Sequence, residues 1–246
     1  MGWLSGILAV WAAGCMGSTP VENSREPLRI TAVTYNLTWE LGRARRTAEG
    51  WQVTTDRGYT VEVTAGRLST HTVTLVPCVA QASLLEFPPL FGSGVALAGH
   101  SGKVDISTWL NPPVEDLAQL AVAAPHRVWF PPANYCEMHL LVARPPGSVP
   151  GKPSGATLEV EGTWRRGEGE TGPLVIHTTL ANGVLRPLGP LTVREGELTV
   201  NVSRDISRLF DGIQFGEDKA AQVERQVLVN LIDGISVTGS DPHGAS

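Results

Sequence analysis

The chain has 246 residues, 42% of them hydrophobic and only 17% charged, which suits a folded protein with a buried core and not a disordered chain. Its 27 glycines and 18 prolines exceed ordinary usage and, with abundant Thr and Val, indicate strands separated by many turns. A net charge of −5 argues against a nucleic-acid-binding surface, and the sequence holds no apolar run long enough to cross a bilayer as a helix.

Trp3 to Ala13 is an uncharged apolar run, too short for a membrane span but suited to the core of an export signal. It leads through small residues to a cysteine, Ala12-Ala13-Gly14-Cys15. This segment resembles the lipobox of bacterial lipoprotein precursors. The resemblance implies a signal peptide over residues 1–14, a lipidated Cys15, and a polar tether over 15–26 before the folded domain. Met16 follows the cysteine where Asp would retain a lipoprotein at the inner membrane, so the family's sorting rule implies an outer-membrane anchor in a cell with two membranes. The alternatives are an ordinary signal peptide cut after Ala12-Ala13-Gly14 and a buried N-terminal helix.

The folded part, residues 27–239, reads as a succession of strands. Leu28 to Glu40 alternates, with Val33, Tyr35, Leu37 and Trp39 on one parity. Trp51–Thr55 and Tyr59–Ala65 flank Asp56-Arg57-Gly58 and predict a hairpin whose inner face carries Tyr59, Val61, Val63 and Ala65. Ser69 to Cys78 is a further strand, with His71, Val73 and Leu75 on one face. Val79 to Trp109 is irregular and rich in Gly and Pro, as functional loops often are. Pro112 to Ala124 predicts a short helix, with Pro113 in its first turn, Glu115 and Asp116 at its positive end, and a stripe of Val114, Leu117, Leu120 and Ala121. Strands follow at Arg127–Phe130 and Tyr135–Ala143. The Pro/Gly stretch over residues 145–156 is a loop or a linker between two halves. Beyond it come strands at Thr157–Trp164, Leu174–Leu180, Leu191–Val193 and Glu197–Val202, then an apolar turn-rich piece, Arg204–Phe215. Glu217 to Asp233 predicts a C-terminal helix stopped by Gly234, and residues 240–246 form a polar tail. Strands in hairpins, without alternating helices, predict an all-β antiparallel sandwich, immunoglobulin-like or related, with one short internal helix and one C-terminal helix.

With Cys15 lipidated, Cys78 and Cys136 remain. In an oxidising compartment they would close a loop of about 59 residues, contributing roughly 4 kcal/mol by chain entropy; free thiols and metal ligation are the alternatives. In Tyr135-Cys136-Glu137-Met138-His139, strand alternation puts Cys136 and Met138 inward and Tyr135, Glu137 and His139 together on the other face. Glu137 and His139, joined by His100 from Ala98-Gly99-His100-Ser101-Gly102, have the chemistry to hold zinc or copper; a solvated strand face is the plainer reading. Trp39, Trp51 and Trp164 sit in core patterns, whereas Trp109 and Trp129, if exposed, could stack on sugar rings. Gly99-His100-Ser101-Gly102 misses the hydrolase elbow by one residue and lacks its strand–helix setting. A likeness to periplasmic metal-associated sandwich proteins lies in the Gly99-His100 loop, the Tyr135-Cys136 strand and Leu209-Phe210-Asp211-Gly212. Together these features predict a lipid-anchored, non-enzymatic binding protein of the cell envelope, with a metal ion as one candidate ligand. The alternative is a structural, carbohydrate-contacting or protein-contacting module.

Overall fold

In the computed structural model, residues 31–78, 108–121, 124–130, 133–145, 155–193 and 197–240 are described. In chain order they form strands β1 (Thr31–Glu40), β2 (Arg45–Arg46), β3 (Trp51–Thr54), β4 (Tyr59–Leu68), β5 (Thr70–Pro77), β6 (Thr108–Leu110), β7 (Glu115–Asp116), β8 (His126–Phe130), β9 (Ala133–Val142), β10 (Leu158–Arg166), β11 (Glu170–Thr178), β12 (Asn182–Val193) and β13 (Glu197–Asp205). A 3-10 turn, Ile206–Arg208, leads toward helix α1 (Ala220–Asp233), and strand β14 (Ile235–Ser240) closes the series.

The fold is all-β and sandwich-like with a C-terminal helix, as the alternation predicts. The strands lie in three sheets, ordered β14-β13-β1-β8, β11-β10-β4-β3-β2 with β7 added alongside β4, and β12-β9-β5-β6. All three contribute to one buried cluster that includes Tyr35, Trp51, Val63, Phe130, Met138, Leu140, Val160, Val200, Phe210 and Leu231. One departure is that β1 pairs with β13 in parallel, Trp39 standing beside Arg204; the first sheet is therefore mixed, unlike the wholly antiparallel immunoglobulin-like arrangement. The predicted β3–β4 hairpin forms, and Gly58 takes the positive φ of +78° that its turn requires.

The apolar piece after β13 packs as its composition demands: Ile206, Leu209, Phe210, Ile213 and Phe215 are buried, with Phe210 stacked on Trp51. Helix α1 buries Val227, Leu228, Leu231 and Ile232. Near its end Arg186 of β12 donates to Ile232 O of the helix (2.7 Å) and to Ile235 O at the start of β14 (3.0 Å). Ile235, just past Gly234, begins β14.

The helix predicted over 112–124 is absent from its described part. Glu115 and Asp116 pair with β4 as the short strand β7, and a turn follows in which Leu120 adopts φ +48°. Two interactions explain the difference. The Asp116 carboxylate accepts from the backbone N–H of Ala118 (2.9 Å) and Gln119 (3.0 Å), a local turn that competes with helix. Glu115 is drawn inward to Arg204, whose guanidinium makes two parallel hydrogen bonds to it at 2.7 and 2.8 Å. Both side chains are 1% exposed. Leu117 and Leu120 still reach the core, from a turn.

Removing one partner of a buried ion pair strands the other charge out of water, which costs about 3–5 kcal/mol. Glu115→Ala should therefore lower the melting temperature by about 6–20 °C, measured by circular dichroism. The apolar pair Glu115→Leu with Arg204→Met should recover most of that loss. A double variant no more stable than the single one would show that a stranded charge is not the cause of the loss.

Candidate functional site

Glu115 is also the floor of a surface cleft of about 250 Å³ between β4, β7 and β10, with Arg67, Asp116 and Glu159 at its rim and Val114, Pro145 and Ala156 as apolar wall. Behind the floor, the Arg204 guanidinium lies 4.4 Å above the Trp39 ring, and the Trp39 indole N–H donates to Glu115 Oε2 at 3.0 Å. The Glu115 carboxylate is thus held by three N–H donors and cannot swing into the cleft. The neighbouring turn is fixed as firmly. Trp51 Nε1 donates to Leu117 O (2.8 Å), and Arg46 Nη1 donates to Gln119 O (2.8 Å).

The cation of the cleft arrives there through a register shift. Arg67 stands opposite Glu159 on one side and Asp116 on the other. Simple alternation from Val61 and Val63 would send Ala65 and Arg67 into the core, but the β4–β10 pairing shifts at Glu161/Gly162, leaving Thr64 as the extra residue. Ala65 and Arg67 are consequently exposed and Leu68 is buried. This corrects the expectation that Ala65 shares the inner face. Gly162 permits the shift, since a Cβ there would lie 1.9 Å from the Glu62 carbonyl oxygen. A guanidinium flanked by two carboxylates, beside an apolar wall, can receive a small solute carrying both an acid and an amine.

The residues singled out from the sequence fall elsewhere. Glu137 and His139 share the outer face of β9, as alternation predicts, next to Pro187 and Leu185 of β12. Burial pushes the His139 imidazole below its ordinary value of 6.5. Tyr135 does not join them: it is buried against Phe130 with ring centroids 5.3 Å apart. The β5–β9 register shifts between Val76 and Pro77, so that Pro77 faces Tyr135 and Val76 faces Glu137. That leaves Cys136 as the extra residue and reverses parity before it; Cys136 is correspondingly only half-buried. There it forms a disulfide with Cys78, Cα to Cα 4.9 Å. His100 and Cys15 lie outside the described residues. Among the described residues, no group of three or more His, Cys, Asp and Glu is placed to hold a metal ion.

The tryptophans also sort themselves. Trp39, Trp51 and Trp164 pack on or within the core as expected. Trp109 does too, as it is buried in β6 and stacked on His126, with centroids 4.5 Å apart. It is therefore not a sugar platform. Trp129 is half-exposed and carries Arg127 over its ring at 5.1 Å. Arg204, which sequence reading passed over, did carry a signal: it continues the inward parity of Leu198, Val200 and Val202 in β13. Neither a family model, a curated protein nor a solved structure matches this chain.

Burial against Trp109 pushes the His126 pKa below 6.5, so the unfolded chain takes up this proton at a higher pH than the folded one. The stability linked to His126 is present above about pH 6.5 and falls as the pH drops through and below that value. In an NMR titration, His126 should show a midpoint below 6.5 that rises in Trp109→Ala; an unchanged midpoint would refute burial as the cause. A second outcome is expected at the register shift. Gly162→Ala should be severely destabilising in chemical denaturation, whereas Gly169→Ala, where a Cβ meets open space, should be tolerated.

Proposed function

We propose that this chain is a lipid-anchored, non-enzymatic binding protein of the cell envelope, held by an acylated Cys15, whose folded domain takes a small polar solute in the Arg67–Glu115–Glu159 cleft. The observation that carries the export half of this reading is the Cys78–Cys136 bond. Such a bond persists in oxidising compartments and is rare where glutathione keeps thiols reduced. It joins the residue after β5 to β9, far from the lipobox-like segment, so a second part of the sequence supports export. In a cell with two membranes, Met16 after the cysteine favours the outer one.

The binding half rests on the cleft. Its floor is immobilised by Arg204 and Trp39, its cation lies between two acidic neighbours, and its apolar wall gives a ligand surface to cover. A pre-formed concavity with a few fixed polar groups is the usual form of a small-ligand site.

Mass spectrometry of the protein recovered from the membrane fraction should find residue 15 at the N-terminus carrying a diacylglyceryl mass, and a peptide linked through Cys78 and Cys136 before reduction. Cys15→Ala should release the protein from membranes. An intact N-terminus and free thiols in cytosolic protein would overturn the reading. For the cleft, a thermal-shift series of amino acids should raise the melting temperature of the wild type and leave Arg67→Glu unmoved; no shift of the wild type with any of them would remove the cleft from the proposal.

A further inference from the structure

A second concavity, of about 380 Å³, lies on the outer face of β2, β3, β4 and β10, lined by Arg43, Arg45, Gln52, Thr54, Thr60 and Arg165. The sheet register explains its layout. Thr60 stands opposite Thr54 on one side and Arg165 on the other, and Arg45 stands opposite Gln52. Arg43 and Arg45 therefore form one rim and Arg165 the other, three strand spacings or about 14 Å apart at the backbone. Hydroxyl and amide groups make the floor between them.

The guanidinium groups at the first rim are oriented and still have donors to offer. Arg43 uses Nη2, which donates to both Asp211 carboxylate oxygens (2.8 and 2.7 Å) and to Ser207 O (3.0 Å). Arg45 donates from Nε and Nη2 to Gln52 Oε1 at 3.3 and 2.8 Å. Each guanidinium carries five N–H groups, so Nη1 of both, and Nε of Arg43, stay available among the described residues. The Arg165 side chain makes no hydrogen bond or ion pair among the described residues. Around the rims four cations, Arg43, Arg45, Arg165 and Arg208, meet three carboxylates: Asp211, paired with Arg43 and Arg208, Asp56, whose backbone N–H donates to Asp211, and Glu62, which stands beside Gln52. A local cation surplus thus persists in a chain whose net charge is −5.

We propose that this concavity binds an acidic oligosaccharide, with carboxylate or sulfate groups seated on the guanidinium groups of the two rims and sugar hydroxyls on Gln52, Thr54 and Thr60. Arginine forks match planar or tetrahedral oxyanions with paired hydrogen bonds. A floor of hydroxyl and amide side chains suits a polyhydroxylated ligand body. A single-stranded nucleic acid would call for stacking rings, and the lining holds no aromatic residue. This site lies apart from the cleft and does not depend on it or on Cys15.

The test is calorimetric titration of the full chain in detergent with an oligogalacturonate, a heparin-derived tetrasaccharide, neutral maltotetraose and inorganic tripolyphosphate. At least one acidic oligosaccharide should bind, the neutral one should not, and affinity should fall as salt rises. Arg45→Glu and Arg165→Glu should each weaken binding by about tenfold or more without moving the melting temperature. Arg225→Glu, on the exposed side of α1, should bind as the wild type does. The proposal is overturned if neither acidic sugar binds at low salt, if tripolyphosphate binds and they do not, if either rim variant keeps wild-type affinity, or if Arg225→Glu loses as much as they do.

Discussion

Arg204 and Glu115 meet where three strands from two sheets converge. β13 supplies the guanidinium, its parallel neighbour β1 supplies Trp39 over the guanidinium face, and β7 supplies the carboxylate. An ion pair with both side chains out of water is stable only if its geometry is good and its remaining donors and acceptors are used. Here the two parallel hydrogen bonds and the indole N–H serve the carboxylate, while Arg204 Nε is left without a partner in the described structure. That incomplete satisfaction leaves part of the desolvation cost unrelieved, so the pair is a weak source of net stability. It dictates where β7 must lie, and β7 in turn dictates the turn over 116–120 and the floor of the cleft. The parallel β1–β13 register, the loss of the predicted helix and the cleft are one connected arrangement.

The sequence disclosed those parts of the fold whose partners lie within their own periodicity. β1, the β3–β4 hairpin, β13 and the C-terminal helix follow from alternation, turn chemistry and helical spacing alone. Of β12 only Leu191–Val193 is legible in this way; the strand begins at Asn182 and carries Pro187 and Pro190, tolerated at the edge of its sheet with a register shift between Pro187 and Leu191. β14 was hidden because Ile235 continues the apolar stripe of the helix before it. The segment after Pro112 has the apolar spacing of a helix, and the Asp116 turn and the distant Arg204 together divert it from one. That contact spans 89 residues, beyond the reach of any local pattern.

The candidate sites divide the same way. Glu137 and His139 could be placed on one face because they lie two residues apart in an unbroken stretch of strand. Tyr135 could not, since the extra residue at Cys136 reverses parity there. The Cys78–Cys136 pairing was one of three readings until the ends of β5 and β9 were seen side by side. Arg67, Glu115 and Glu159 come from three strands brought together by long-range pairing, and no spacing in the chain joins them.

The β4–β10 ribbon connects the cleft to the arginine-lined concavity through a single inserted residue. On the hairpin side of Thr64, the outward positions of the ribbon are Thr60, Glu62, Thr163 and Arg165, which contribute to the concavity and its border. On the other side, the outward positions are Ala65, Arg67, Glu159 and Glu161, and the two charged members nearest β7 form the rim of the cleft. Without the extra residue the second set would exchange faces on β4: Arg67 would enter the core and Leu68 would leave it. The space for that residue exists because Gly162 presents no side chain to the Glu62 carbonyl. A glycine that binds nothing therefore decides whether an arginine reaches the cleft, and the same register keeps Val61 and Val63 inward behind the concavity. Chemistry at both surfaces is set by backbone geometry at a point that belongs to neither.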